Sequence, residues 1–225
     1  MISKIEKMVI IPAKRRCVSI TRDEAIFIYN FLRERKITET LEIGFAYGYS
    51  AIYIMSATGA PHIVIDPYQG EFDNLGISNV KKLHLYKRLI FYPDYSQIIL
   101  PKLVLSGKKF AFVFIDGGHR FDDIFIDFYY SDLLLRMGGF IIFHDLVFKS
   151  TQLVAAWIKY NRHDYKFIHT SRGNLIIVQK CSVDNRAGNH FADFCLSPDL
   201  KNKFHNLVSK IGALLKISPK SIFLS

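Results

Sequence analysis

Two glycines and two acids in the first third of the chain have the types and spacing of a nucleoside-binding site. The segment Leu41-Glu-Ile-Gly-Phe-Ala-Tyr-Gly-Tyr-Ser-Ala51 carries the first acid, Glu42, just ahead of Gly44 and Gly48. Gly44 would let the backbone approach a ligand closely, and a helix after the turn would present N–H groups to a carboxylate. Asp66 ends the next apolar run, at about the distance from the turn where an acid meets a ribose diol. Taken singly, the turn and the aspartate also fit an empty loop, but together the four residues favour a nucleotide-like cofactor.

The spacing of the glycines distinguishes this turn from the phosphate-binding loops of dinucleotide sites. Dinucleotide sites use G-x-G-x-x-G, whose early second glycine makes room for a pyrophosphate, whereas the spacing here is Gly44-x-x-x-Gly48. An NAD-dependent oxidoreductase is therefore disfavoured. The sequence contains neither G-x-S-x-G nor a P-loop, which disfavours a serine hydrolase and an NTPase.

Alternating strands and helices must position these residues. Thr21-Arg-Asp-Glu24 is a capping box and predicts a helix that runs to about Arg35. Elsewhere, continuous apolar runs predict buried strands, and turn residues predict where helices end, as at Met137-Gly-Gly139. The predicted strands are 38–43, 62–66, 110–115 and 140–143, and the predicted helices are 50–57, 96–105, 121–136 and 150–161. Residues 67–95 are less regular, and 83–90 fit either a strand or a helix.

This order of elements predicts one α/β domain with a doubly wound, mostly parallel sheet. Residues 165–169 and 175–179 flank a turn and predict a closing antiparallel hairpin. We place the domain at residues 1–180, with a helical lead-in over 1–37, and treat 181–225 as a helical appendage. A helix beginning at Ser197-Pro198 would carry one apolar face, formed by Leu200, Phe204, Leu207, Ile211 and Leu214. That helix would pack on its own domain, cover the site or form a homodimer contact.

The composition limits the partners and the compartment. A chain of 225 residues, half of them apolar, can bury the core of one large domain. Its formal net charge of +10 favours anionic partners such as nucleic acid, acidic sugars or an anionic membrane face. The basic residues are scattered, which disfavours a nucleic-acid surface but leaves it as an alternative. Three cysteines without a C-x-x-C pair, no signal peptide and no apolar run of about 20 residues indicate a cytoplasmic protein without a membrane span.

Four motifs resemble those of class I S-adenosylmethionine (SAM)-dependent methyltransferases, in particular the catechol O-methyltransferase type and a broad bacterial group related to it. They are Glu42-Ile-Gly-Phe-Ala-Tyr-Gly-Tyr-Ser50, Asp66-Pro-Tyr-Gln69, Phe114-Ile-Asp-Gly-Gly-His119 with the acidic helix after it, and Met137-Gly-Gly-Phe-Ile-Ile-Phe-His-Asp145. The similarity covers roughly residues 38–170. It implies a Rossmann-like fold of seven strands with a C-terminal antiparallel strand, and SAM as the cofactor.

The resemblance also implies which residues bind SAM. The glycine turn would hold the methionine part, Asp66 would hold the ribose hydroxyls, and Tyr68 or Gln69 would flank the adenosine. Tyr95-Ser96 stands where relatives contact adenine, although their usual G-D-S is Asp94-Tyr-Ser96 in this chain. The predicted SAM contacts are Glu42, Gly44, Phe45, Ala46, Tyr47, Gly48, Ser50, Asp66, Pro67, Tyr68, Gln69, Tyr95, Ser96 and Asp116.

Four residues would carry the chemistry in this resemblance. In the metal-dependent relatives an aspartate at the position of Asp116 binds a divalent cation, and the acid pair that completes their site corresponds to His144 and Asp145. Because Mg²⁺ prefers oxygen ligands, a histidine suits Mn²⁺, Fe²⁺ or Zn²⁺ better, and His144 is equally compatible with a structural role. His119 matches the family's catalytic base, usually a lysine. A histidine with an ordinary pKa near 6.5 can accept a hydroxyl proton, so we name Asp116 and His119 as catalytic residues.

The expected reaction is methyl transfer from SAM to a hydroxyl oxygen of a small molecule or glycan, with the basic surface favouring an anionic acceptor. Mg²⁺ or Mn²⁺ at Asp116, His144 and Asp145 would assist it. Without a metal, His119 and desolvation would have to suffice, and a nitrogen acceptor becomes more plausible. RNA methylation is a second hypothesis, although no RNA-binding module accompanies the fold. A non-catalytic SAM-binding or interaction protein is a third.

Overall fold

The computed structural model describes residues 2–170 and 172–196. The helices are α1 (Ile2–Met8), α2 (Arg22–Glu34), α3 (Tyr49–Thr58), α4 (Leu75–Lys82), α5 (Ser96–Leu105), α6 (Phe121–Leu134) and α7 (Lys149–Asn161). The strands are β1 (Thr40–Ile43), β2 (His62–Ile65), β3 (Leu89–Tyr92), β4 (Phe110–Ile115), β5 (Leu135–Phe143), β6 (Tyr165–Ile168) and β7 (Ile176–Lys180). Short 3₁₀ helices occupy Ala13–Val18, Gln69–Phe72 and Tyr86–Arg88.

The strands form one sheet in the order β3-β2-β1-β4-β5-β7-β6. β1 to β5 are mutually parallel, whereas β7 runs antiparallel to both β5 and β6. The direction of winding reverses between β1 and β4, and ligands of open α/β sheets bind outside the carboxyl ends of the strands at such a point. Ile43 pairs with Ile115 there, so Gly44 and Asp116 leave the sheet side by side.

Helices cover both faces of the sheet. Residues of β1 and β4 alternate between the two layers because successive side chains in a strand point to opposite faces. Leu41, Ile43 and Val113 belong to the apolar cluster that includes α5, α6 and α7. Phe112 and Phe114 belong to the opposite cluster, with α2 and α3. This double burial explains why β4 is continuously apolar. In β1 the two buried polar residues, Thr40 and Glu42, both contact the His62 ring of β2.

The predicted α/β fold, with a mostly parallel sheet closed by an antiparallel hairpin, is confirmed. The expectation that Met137-Gly-Gly139 breaks a helix is wrong, because α6 already ends at Leu134 and these residues lie inside β5. There the pairing of β4 with β5 shifts register between Phe110 and Phe112. Sequence reasoning also missed α4, whose preceding residue Asn74 makes no side-chain cap. Residues 83–90 contain a 3₁₀ turn followed by the start of β3.

The predicted capping box at the start of α2 is present. The Thr21 hydroxyl accepts a hydrogen bond from the Glu24 N–H at 3.3 Å, and the Glu24 carboxylate accepts one from the Thr21 N–H at 2.7 Å. We expect Thr21→Ala to lower the free energy of unfolding by about 1 kcal/mol, because an N–H at the helix start loses its partner. Urea unfolding would measure this. The matched control is Thr38→Ala, whose hydroxyl contacts only the exposed Glu39 side chain; an equal loss in both variants would contradict the prediction.

Among residues 2–170 and 172–196, none of the helices combines the length and apolarity required for a membrane crossing. The predicted apolar helix after Ser197 lies outside the described residues. Residues 181–196 lack helices and strands and return to α7, where the Asn161 amide exchanges two hydrogen bonds with the backbone of Ala192, at 3.0 and 2.7 Å.

Candidate active site

A cavity of about 560 Å³ lies outside the carboxyl ends of β1, β2, β4 and β5. Its size is that of a small-molecule or cofactor site. The predicted residues that line it are Gly44, Phe45, Ala46, Ser50, Asp66, Pro67, Tyr68, Tyr95, Ser96, Asp116, His119, His144 and Asp145. The structure therefore brings the predicted cofactor residues and the predicted chemical residues to one cavity.

Gly44 makes the close packing of the first turn possible. Its φ is +93°, and a Cβ added to it would lie 2.0 Å from the backbone oxygen of Asp116. The Gly44 N–H donates to the carbonyl of Ile65 at 2.9 Å, so the turn crosses the ends of β2 and β4. Gly48, with φ +71°, then begins α3 at its N-terminal end. Only glycine adopts this combination of conformation and contact without strain.

The Asp66 carboxylate joins the turn after β1 to the loop after β2. Its Oδ2 accepts hydrogen bonds from the N–H groups of Phe45 and Ala46, at 2.7 and 3.1 Å. Its Oδ1 accepts one from the N–H of Tyr68 at 2.6 Å. Each carboxylate oxygen can accept more than one hydrogen bond, so these contacts leave acceptor capacity at the cavity wall.

Four predicted SAM contacts do not line the cavity, namely Glu42, Tyr47, Gly48 and Gln69. Glu42 is fully buried and accepts hydrogen bonds from the Ser50 hydroxyl and, at 2.7 Å, from Nε2 of His62. The Tyr47 ring packs against Phe72, with the ring centroids 5.2 Å apart. The Gln69 amide donates to the Ala46 carbonyl at 2.6 Å. These side chains contact the protein and support the residues that form the wall.

Histidines and carboxylates converge at the other end of the cavity. Nδ1 of His144 lies 2.9 Å from Asp116 Oδ1 and 3.1 Å from Asp145 Oδ1. Nε2 of His119 lies 2.8 Å from Asp145 Oδ2. Asp145 has φ +58°, an uncommon conformation for a residue other than glycine, and such strain concentrates at functional sites.

The charges in this cluster shift the pKa values of its members. Burial by itself disfavours the imidazolium of His144, but the neighbouring carboxylates Asp116, Asp145 and Glu24 raise its pKa well above 6.5. Burial raises the pKa of Asp116, and His144 partly opposes this. The hydrogen bond to Asp145 raises the pKa of His119. In the absence of another cation, His144 is therefore the positive charge that balances the buried acids.

Comparison with known proteins agrees with this geometry. Residues 41–146 match the family described as "Methyltransferase domain". This segment of the chain is therefore similar to a methyltransferase domain. No curated protein matches the sequence.

Solved structures share the fold of the methyltransferase domain at low sequence identity. An O-methyltransferase from Bacillus cereus in complex with S-adenosylhomocysteine (SAH) superposes with a TM-score of 0.65 and 16% identity, over 80% of this chain and 90% of that one. TomG from Streptomyces achromogenes, an O-methyltransferase of tomaymycin synthesis in complex with SAM, gives 0.65 and 18%, over 80% and 89%. The SAH-bound methyltransferase PaMTH1 from Podospora anserina gives 0.63 and 16%, over 80% and 93%.

The residues that line the cavity fit the parts of SAM. The absent side chain of Gly44 leaves backbone at the cavity wall, and α3 begins next to it with Ser50 facing the cavity. A helix N-terminus with free N–H groups suits the carboxylate of an amino acid. Asp66 lies at the end of the neighbouring strand, where an acid suits a ribose diol.

Several lining residues were missed by sequence reasoning. Val18, Ser19 and Ile20 come from the segment before α2, and Asn174 comes from the turn before β7. The Asn174 amide lies 3.1 Å from His144 Nε2 and 3.3 Å from Asp145 Oδ1. The sequence predicts only a capping role for Glu24, yet its carboxylate also lies 3.5 Å from His144 Nε2. No sequence signal identifies these residues, because each is distant along the chain from its partners.

The positions of Glu42 and Ser50 predict different effects of mutation. Glu42→Ala should lower the free energy of unfolding by about 3 kcal/mol, because it leaves His62 and Ser50 buried without their partner. Ser50→Ala should cost only about 1 kcal/mol but weaken SAH binding, because Ser50 faces the cavity. Chemical unfolding and isothermal calorimetry on both variants would measure the two effects. Equal losses of stability would contradict the buried role of Glu42.

Proposed function

We propose that this protein transfers the methyl group of SAM to a hydroxyl oxygen of a small molecule or glycan. One observation supports this proposal: two groups of residues line the same cavity. The first is the glycine turn with Asp66, and the second is the cluster of His119, Asp116, His144 and Asp145. SAM supplies a methyl group that is already electrophilic, so the protein's main task is alignment. Asp66 would fix the ribose of SAM and the start of α3 its methionine carboxylate, which would direct the sulfonium toward Asp116.

His119 is the proposed general base. Its Nε2 interacts with Asp145 at 2.8 Å, and half of its side chain is exposed to the cavity opening. Asp145 holds the imidazole in one orientation, so that the other ring nitrogen, Nδ1, is free to accept the proton of an acceptor hydroxyl. The Phe148 ring packs beside the His119 ring, with the centroids 4.7 Å apart, and limits the direction from which an acceptor approaches.

A divalent cation at Asp116, His144 and Asp145 is the second part of the proposal. These three residues offer ligand atoms that lie within 4.8 Å of one another. Nδ1 of buried His144 forms no well-directed hydrogen bond to the described residues, although two carboxylate oxygens lie near it. Three ligand atoms that converge on one point suit a cation, and a histidine with two carboxylates suits Mn²⁺. When bound, the cation would lower the pKa of the acceptor hydroxyl.

Metal binding by this cluster can be tested without an acceptor. We expect Mn²⁺ to raise the thermal unfolding midpoint of the wild-type protein by several degrees, because an ion that binds only the folded state stabilises it. The His144→Ala variant should show no such shift. His163→Ala, which removes an exposed histidine far from the cluster in sequence, is the control and should respond like wild type. If neither Mn²⁺ nor Mg²⁺ changed the thermal unfolding midpoint of the wild-type protein, the proposed metal site would be refuted. His144 would then be a charged structural residue.

The acceptor class is proposed from the cavity wall near His119. Val18, Ile20, Val147 and Phe148 give it an apolar side, whereas Arg120, whose Nε lies 2.9 Å from Asp123 Oδ2, contributes a charged side chain that is already paired with a carboxylate. This combination suits a small hydroxylated ring, with room for an anionic substituent. Incubation with SAM and a panel of phenols, catechols and phosphorylated sugars, with SAH release as the readout, tests this. SAH binding without turnover on the panel, and with turnover on RNA, would favour the RNA hypothesis instead.

A further inference from the structure

The imidazole of His144 has acidic neighbours at both of its ring nitrogens. Its Nδ1 lies close to Asp116 and Asp145, which line the cavity and belong to the proposed cation site. Its Nε2 lies 3.5 Å from Oε2 of Glu24, which is 5% exposed and is not among the residues that line the cavity. Glu24 therefore approaches His144 from behind the cavity wall, and neither SAM binding nor the base mechanism has given it a role.

The start of α2 holds the Glu24 carboxylate in this position. Glu24 is the third residue of the helix, and its Oε2 accepts hydrogen bonds from the Thr21 N–H at 2.7 Å and the Thr21 hydroxyl at 2.8 Å. Burial opposes a charge here, but the contact with His144 and the bonds from Thr21 outweigh it and lower the pKa of Glu24. The N-terminus of a helix also favours a negative charge. A capping carboxylate does not need to be buried, so capping alone does not account for the contact with His144.

Asn174 is the second polar neighbour of Nε2, and it presents a donor. Its Nδ2 lies 3.1 Å from Nε2, while its Oδ1 accepts a hydrogen bond from the Val147 N–H at 3.2 Å. The bond from Val147 determines which end of the amide faces the histidine, because an N–H needs an oxygen as its partner. Of the two neighbours of Nε2, only Glu24 can therefore accept a proton from it.

We propose that Glu24 is a positioning residue, which holds His144 in the orientation and tautomer that the proposed divalent cation requires. A neutral imidazole that binds a cation through Nδ1 carries its proton on Nε2. A carboxylate that accepts this proton fixes the ring and makes the ligating nitrogen a stronger ligand. Glu24 is placed to accept it. The inference rests on the cation of the proposed function and adds to it a residue from outside the cavity.

Two other arrangements would leave Glu24 without this role. In the first, Glu24 only caps α2. In the second, Asn174 donates a hydrogen bond to an unprotonated Nε2, and the proton of His144 is on Nδ1, where it excludes a cation. Metal affinity separates the first arrangement from the proposal, and the position of the imidazole proton separates the second.

Titration of the full-length protein with Mn²⁺, monitored by calorimetry, tests the proposal on two variants. Glu24→Gln removes the negative charge but keeps a side-chain oxygen that can accept from the Thr21 N–H. We expect it to bind Mn²⁺ about tenfold to a hundredfold more weakly than wild type. Thr21→Ala is the matched control, because it removes the capping hydroxyl but leaves the Glu24 carboxylate and its bond from the Thr21 N–H. It should bind Mn²⁺ like wild type.

The position of the imidazole proton is measured by NMR of the ring nitrogens in the wild-type protein, so this readout does not depend on the folding of a variant. Diamagnetic Zn²⁺ serves as the probe, because imidazole is a suitable ligand for it. With Zn²⁺ bound, Nε2 of His144 should carry the proton and Nδ1 should have the chemical shift of a ligated nitrogen. A proton on Nδ1 in the presence of Zn²⁺ would overturn the inference.

Two results of the Mn²⁺ titration would also overturn it. One is equal affinity of wild type and Glu24→Gln for the ion. The other is equal weakening in Glu24→Gln and Thr21→Ala, because the loss would then come from a disturbed start of α2. Failure of the proposed cation gives a different result: wild type would then bind neither Mn²⁺ nor Zn²⁺, and Glu24 would be a capping residue alone.

Discussion

Gly44→Ala is expected to abolish SAH binding and to lower the free energy of unfolding by about 3 kcal/mol or more. The added Cβ would overlap the backbone oxygen of Asp116 at 2.0 Å and its carbonyl carbon at 2.5 Å. Neither atom can rotate away, because the Asp116 N–H is bound to the Ile43 carbonyl at 2.8 Å. Strain from φ +93° adds to the overlap. Urea unfolding and calorimetry with SAH would measure the two losses.

The variant Gly59→Ala tests the backbone strain of a positive φ without the steric overlap that an added Cβ causes at Gly44. Gly59 also has a positive φ, +67°, at the end of α3, but a Cβ there would meet no atom within 4 Å. This variant should lose only about 1 kcal/mol and bind SAH normally. If the two alanine variants were equally stable, the close approach of the turn to β4 would be refuted.

His119→Ala is expected to lower kcat by about two to four orders of magnitude while leaving the affinity for SAH nearly unchanged. The side chain lies beside the acceptor end of the cavity, where it interacts with Asp145 but not with the residues of the glycine turn. Turnover would be measured as SAH release with an acceptor from the phenol, catechol and sugar panel. Asp145→Asn should also lower kcat, because His119 loses its orienting carboxylate and the proposed cation loses a charged ligand.

An exposed histidine provides the control for this prediction. His163→Ala should have wild-type kcat and SAH affinity, because the residue follows α7 away from the cavity. A His119→Ala variant with unchanged kcat would show that the acceptor loses its proton to another group. A loss of SAH affinity comparable to the loss of kcat would mean instead that His119 belongs to the cofactor site.

The fold was largely predictable from local sequence patterns, and the errors of that prediction also have local causes. The capping box at Thr21 and the strands β1, β2 and β4 lie where they were predicted, since each depends on neighbouring residues. The helix α4 was missed because Asn74 does not cap it. The glycines at 138 and 139 suggested the end of a helix, but a glycine also fits a strand that changes its pairing, as β5 does opposite β4.

The site was predictable only in part. Residues at the ends of β1, β2, β4 and β5 were identified, because parallel strands deliver their carboxyl ends to one edge of the sheet. Glu42 was also expected there, but its neighbour across the sheet, His62, and the hydroxyl of Ser50 occupy its carboxylate. Asn174 and Glu24 had no signal at all, since their partners lie far away in the chain.

The sequence by itself determined the alternation of strands and helices, the strained turn at Gly44 and the types of side chain that end the strands. Only the tertiary structure decided which of those side chains reach the cavity and which are enclosed behind it. The physical reason is that conformation and hydrophobic pattern are properties of neighbouring residues, whereas burial and hydrogen-bond partners depend on elements that meet only after the sheet has formed.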